Sequence, residues 1–347
     1  HEKERVHICA LSQKTSQKGT GVIQKGDIEA LKIRLLADGN PYKLAIQHKG
    51  KLDALTAKEQ NGEVYLVAEN GVVEVEGEVY APGGRIHILG ENVALIEEGL
   101  LDASSENAGG DVLFGGSFQG KDPAILNSKH SLIGPNAKIN VSAKANGNSG
   151  QAIVWSDNKT SFHGFILARG GDNGGNGGLV EVSGKIKLDM AGNTDRSAPN
   201  GSPGEFLADP STIIIRKGKI PSDITCFYGT CYPTKEESIL YEATLLSQLR
   251  SGPVTISTSS SLPGDGDIII ETNLDSPSCG YGTDHKLTFN ADRDIHIKGS
   301  VQNSGKGGLA FFAERDLYVD GRAQIARVGT QLGSVEIEVG RNLLLLG

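Results

Sequence analysis

The chain has 347 residues, which at about 150 residues per domain suggests two domains or a little more, unless an elongated repeat makes that count meaningless. Its 34 Lys and Arg against 42 Asp and Glu leave a net charge of −8, and the only dense basic stretch, Arg216 to Lys219, is short, so no nucleic-acid footprint is expected. Hydrophobic residues make up 37%, and no apolar run approaches the roughly 18 residues needed to cross a bilayer, so no membrane span is expected.

Glycine is the outlier, at 47 of 347 residues, near twice the ordinary usage of about 7% and without the collagen period of three. Residues 1–50 read as a strand-rich segment, a truncated coil region. The chain opens at His1 with no charged-then-apolar leader and ends on the strand-like Asn342 to Gly347, so it reads as a segment of a longer protein. From residue 51 the glycines set a rhythm. Gly62, Gly84, Gly110, Gly150, Gly178 and Gly204 are each followed by a short alternating segment ("GEVYLVAE", "GRIHILG", "GDVLFGG", "GQAIVWS", "GLVEVSG", "GEFLADP"), at spacings of 22, 26, 40, 28 and 26 residues. The pattern returns with "GLAFFAE" at Gly308 and "GSVEIEV" at Gly333. One unit therefore recurs every 20-odd residues, with insertions.

Within a unit the apolar residues alternate with period two, as at Val64 and Leu66 or Ile86 and Ile88, which turns one side of each strand inward. A coil of two or three short strands has too little apolar surface to stand alone, so the coils must stack, with equivalent strands side by side in parallel. Glycine, Asn and Asp at the corners suit the sharp turns between strands, and the 5% aromatic content suits a narrow core. The fold expected is all-β, a parallel β-helix covering 51–220 and resuming over 253–347. A propeller would need longer repeats, and a sandwich would show more hairpin turns.

The region 221–252 breaks the rhythm. "TKEESILYEATLLSQLR", Thr234 to Arg250, carries helical apolar spacing, a capping-box pair at Thr234 and Glu237, and Gly252 beyond its end. It predicts a short amphipathic helix that caps the stack or covers an exposed sheet edge. The cysteines, Cys9, Cys226, Cys231 and Cys279, lack metal-ligand spacing, so neither a metal nor a cofactor is expected. Cys226 and Cys231 suit a small disulfide-closed loop, worth about 2 kcal/mol, with a reduced buried pair the alternative.

Three stretches resemble the filamentous haemagglutinin-like exoproteins of bacterial two-partner secretion. Asn140 to Ile215 is similar to that family's run of a small-residue turn, an "IVW" strand, a Gly-rich loop, a "VEVSG" strand and a closing "LADP" step. "ATLLSQLRSGPVTISTSS" with "GDGDIII", and then "LTFNADRDIHIKGSVQNSGKGGLAFFAERDLYVDG", resemble its helix and its paired coils in the same order. The resemblance covers roughly residues 50 to 347 and implies a right-handed β-helical shaft, secreted or held at the cell surface and used for adhesion. The implied partners are an outer-membrane transporter, acting on a secretion domain upstream of His1, and a host glycan or protein receptor. Asn40-Pro41 and Pro199-Asn200-Gly201 do not complete the family's Asn-Pro-Asn-Gly motif, and the cysteines depart from it. The alternative function is a stalk delivering a carboxy-terminal toxin.

An enzyme is disfavoured. β-Helices also host polysaccharide lyases and hydrolases, but Asn193-Thr194-Asp195 lacks the partner motifs of pectin-hydrolysing enzymes and sits in a Gly/Pro-rich turn. His87, His163 and His296 form no base, nucleophile and orienter constellation and are expected to face solvent. "GGDNGGNGG" lacks the Lys-Ser/Thr of a phosphate loop and the iterated calcium-binding period, and reads as a corner. Lys25-Gly26-Asp27 and the glycan acceptor sequences at Asn140, Asn158 and Asn200 are assigned to chance.

Overall fold

The computed structural model describes residues 5–10, 21–37, 44–54, 62–218, 224–227, 230–233, 238–259, 266–274, 282–327 and 333–346. They form the parallel β-helix that the repeat requires, with three faces. The first face begins with Arg5–Ala10 and Lys32–Ala37 and ends with Val335–Val339. The second runs from Val22–Gln24 to Asn342–Leu346. The third stacks Asp27–Ala30 through Asn193–Asp195 and resumes with Val301–Asn303 and Ile325–Arg327. The long strands Glu63–Val75 and Arg85–Leu95 bend around the corner and join the first two faces.

Every inter-coil pairing described is parallel, and inward positions stay in register from coil to coil. On the first face Val64 pairs Ile86, Ile86 pairs Val112, Val112 pairs Ala152, and Ala152 pairs Val180. Each is fully buried. A slip of one residue would turn the whole apolar column to solvent, so burial itself fixes the register. In the last coil the same inward positions, Ile337 and Leu345, are 41% and 77% exposed because no described coil stacks on them.

The periodic glycines form one physical column at a corner. A Cβ added to Gly84 would stand 1.9 Å from the Gly62 carbonyl oxygen, and one on Gly110 2.2 Å from that of Gly84. The contact repeats at Gly150 on Gly110 and Gly178 on Gly150, both at 1.9 Å, and at Gly204 on Gly178 at 2.0 Å. Successive coils meet here backbone to backbone, and no side chain fits between them.

The insert differs from its expected form. The helix α1 spans Glu242–Ser251, not Thr234 to Arg250. Ile239–Tyr241 is instead a strand, wedged on the second face between Lys187–Met190 and Ile213–Arg216. Pairing on both edges outweighs the helical spacing of Ile239 and Leu240, whose side chains are buried on both sides. The capping pair Thr234 and Glu237 lies outside the described residues.

Helix α1 packs on the edge of Asn193–Asp195, the third-face strand that has no further strand beside it among the described residues. Its polar side chains take the partners that a strand would have supplied. Gln248 Nε2 donates to the Gly192 carbonyl at 3.1 Å, and Ser251 Oγ donates to that of Thr194 at 2.9 Å. The helix therefore covers an exposed sheet edge, as its amphipathic pattern suggests. Cys226 and Cys231 face each other across the antiparallel hairpin Ile224–Phe227 and Thr230–Pro233. Their side chains lie outside the described residues, as does Cys279, while Cys9 is a free, exposed thiol. Among the described residues no helix is long and apolar enough to cross a membrane.

Candidate functional site

The residues singled out in the sequence do not converge. Asn193, Thr194 and Asp195 sit under helix α1. Asp195 Oδ1 accepts the Ser197 backbone N–H at 3.0 Å, and Thr194 Oγ1 bonds Gln248 and Arg196. The tripeptide thus serves the helix junction. Its centre is Arg196, fully buried, whose guanidinium donates to the Gln248 carbonyl at 2.8 Å and to that of Gly252 at 3.3 Å. A cation at the carbonyl end of a helix is favourably placed, although burial lowers its pKa to about 9.

His87 and His296 face outward in their strands, and all three histidines are less solvated than expected. His87 stands edge-on to Tyr65 with centroids 4.9 Å apart, and burial, followed by the charge of Arg85, lowers its pKa to about 4. His296 stacks on Tyr318 at 4.6 Å. His163 Nε2 stands 3.5 Å from Asp189 Oδ2. His87 and His296 shield their rings against the equivalent position of an adjacent coil, Tyr65 and Tyr318, a consequence of parallel register that composition cannot reveal. The Gly170 to Gly178 loop is a corner: a Cβ on Gly175 would lie 1.8 Å from the Gly147 carbonyl oxygen. Asn140 Oδ1 accepts the Ser142 backbone N–H, and Asn200 donates to the Asp172 carbonyl.

Asp267, Asp294 and His296 offer ligand atoms within 4.8 Å of one another. The carboxylates are already neutralised. Arg293 forks onto Asp267, Arg315 forks onto Asp294 at 3.0 Å, and Arg341 Nη2 donates to Asp316 Oδ2 at 2.6 Å. Each Asp also accepts the backbone N–H of its successor in the next coil, Asp294 on Asp267 and Asp316 on Asp294. This is an Arg–Asp ladder that locks coils together, with charge-assisted bonds at the start of second-face strands.

The most unusual electrostatics lie elsewhere, under a flap formed by residues 115–128. On most first-face strands outward positions are partly exposed, but in Gln151–Ser156 and Leu179–Gly184 five consecutive residues are buried. The flap covers their outer side: a Cβ on Gly120 would lie 2.5 Å from Trp155 Nε1, and one on Gly116 2.6 Å from Trp155 Cδ1. Beneath it are Glu181, fully buried, and Asp209, 4% exposed. Gln119 sits in the left-handed region at φ 52°, a conformation that disfavours a side chain with a Cβ. It is pinned there by two bonds. Its backbone N–H donates to Glu181 Oε2 at 2.9 Å, and its side-chain amide donates to Asp209 Oδ2 at 2.8 Å.

Burial raises the Glu181 carboxyl to about 7 against the opposing bond from Gln119, and burial likewise raises that of Asp209. Two carboxyls under one lid can bind a proton or a cation, but the lid leaves no approach for a polymer, so general acid–base work on a glycan is not what this arrangement offers. The sequence did carry a trace of the flap. The spacing of 40 between Gly110 and Gly150, against 22 to 28 elsewhere, leaves room for the 115–128 excursion. Nothing marked Glu181 itself, because an outward Glu in an alternating strand reads as solvated. No family model matches the chain, and no curated protein matches it.

Proposed function

We propose that the chain is a stretch of the shaft of a secreted or surface-held bacterial adhesin, of the filamentous haemagglutinin-like, two-partner-secretion kind. The observation that carries the reading is the constant inter-coil register along the first face, from Arg5–Ala10 to Val335–Val339. Its pairings join twelve described strands, which at about 4.8 Å per strand make a rod of roughly 50 Å. A stack that buries most of its apolar residues between coils leaves much of its outer faces free for recognition and holds a distant region at a fixed reach. The order of motifs from Asn140 to Asp320 supports the family assignment.

The test is attachment and export together. The purified chain should bind host epithelial cells or an arrayed glycan, and its full-length parent should reach the medium only when an outer-membrane transporter of the partner type is co-expressed. Export independent of such a transporter would sink the family reading. Turnover of pectin or alginate abolished by Asp195→Ala would replace adhesion with an enzyme.

A further inference from the structure

The oxygens left over beneath the flap point to a ligand. Gln119 ties down one oxygen of each carboxylate, Glu181 Oε2 and Asp209 Oδ2. The other two, Glu181 Oε1 and Asp209 Oδ1, are buried and have no hydrogen-bond partner among the described residues. Glu181 is fully buried and Asp209 is 4% exposed, so solvent does not serve these atoms in place of a partner. Two carboxylates so enclosed cannot both ionise without compensation.

The neighbouring charges supply it only in part. Lys121 brings one positive charge to two carboxylates, and its ammonium donates to Gln119 Oε1 at 2.7 Å. Asp292 adds negative charge near Asp209. The donors are hard oxygens with no sulfur or imidazole among them. That donor set suits Ca²⁺, which takes carboxylate and carbonyl oxygens in variable geometry, better than a transition metal, and better than Mg²⁺, which keeps several waters that this enclosed position would exclude.

We propose that Glu181 Oε1 and Asp209 Oδ1 ligate a calcium ion that staples the flap around Gln119 onto the coils of Leu179–Gly184 and Phe206–Ala208. The ion neutralises the pair and fixes the strained Gln119 conformation from both sides. The site is independent of the adhesive reading, since any function of the stack would inherit it.

Trp155, the single tryptophan of the chain, supplies the probe. Its ring lies against the flap glycines, and its strand partner is Ser183, two residues from Glu181. Terbium, a calcium substitute, bound at the site should show emission sensitised by Trp155, and added Ca²⁺ should compete it away. Ca²⁺ should also raise the melting temperature of the wild-type chain over that in chelator. Glu181→Gln and Asp209→Asn should each lose both responses while retaining the far-ultraviolet spectrum of a β-helix. A wild-type chain with neither terbium emission nor a Ca²⁺-dependent melting shift overturns the proposal and leaves a proton as the compensating species. Emission undiminished in both variants overturns it as well, because the ion would then sit elsewhere. The wild-type melting shift needs no variant to fold.

Discussion

Replacing Glu181 by Gln should stabilise the metal-free protein, and increasingly so as the pH rises. The carboxyl is raised from its ordinary 4.5 to about 7, first by burial. Below about pH 4.5 the folded and unfolded chains both hold the proton, and the group contributes nothing. Between about 4.5 and 7 the unfolded chain releases the proton while the folded chain keeps it, so stability falls as pH rises. Above about 7 the loss is complete. At about 1.4 kcal/mol per pH unit the gap corresponds to about 3 kcal/mol. Gln cannot titrate, and its carbonyl oxygen can still accept the Gln119 N–H, so the variant escapes that loss.

His87 works in the opposite direction over an overlapping window. Its pKa is lowered from 6.5 to about 4 by burial, so its neutral folded form loses stability as pH falls through that range. Both proteins carry His87, and the difference between them cancels it. The assay is urea unfolding of wild type and Glu181→Gln in chelator at about pH 5 and about pH 8, followed by Trp155 fluorescence, with the difference in unfolding free energy as the readout. The variant should gain up to about 3 kcal/mol on wild type between the two conditions. A difference that does not change with pH, or one that shifts toward wild type at alkaline pH, would refute the burial argument for Glu181.

Three further outcomes follow from packing. Gly178→Ala, whose Cβ would stand 1.9 Å from the Gly150 carbonyl oxygen, should cost about 2 to 3 kcal/mol by forcing the coils apart, whereas Gly26→Ala, with nothing within 4 Å, should be near neutral; equal melting of the two would refute the stacked column. Val180→Asp and Ile86→Asp, both fully buried and inward, should each cost more than about 4 kcal/mol, and unchanged thermal melting of either would contradict the assigned facing. Arg196→Met should cost about 3 kcal/mol by orphaning the carbonyls of Gln248 and Gly252; hydrogen exchange should show α1 amides losing protection ahead of the first face, and uniform protection loss would refute its role at that junction.

The all-β stack was legible because its two signals are local and repeated. Alternation at Val64 and Leu66, or Ile86 and Ile88, follows from the pleat, and the glycine interval follows from coil length. Both survive in a bare sequence. The helix was legible only in part: the spacing of Leu245 and Leu249 is real, but Ile239 to Tyr241 carries apolar residues that fit a helix or a strand equally, and the edges of Lys187–Met190 and Ile213–Arg216 decided between them. The Arg–Asp ladder was in view as "DRD" and "ERD" without its meaning, since Asp267, Asp294 and Asp316 become neighbours only when coils stack.

The amino-acid order by itself thus determined the winding: which side of each strand is greasy, where a coil must turn, and how many residues one circuit takes. The tertiary structure alone decided the chemistry beneath the flap, because Gln119 meets Glu181 and Asp209 across separations of 62 and 90 residues. Periodicity reports on the neighbours a residue has along its own strand, whereas the charge state of a carboxyl depends on what covers it, and here the cover comes from an insertion two coils away.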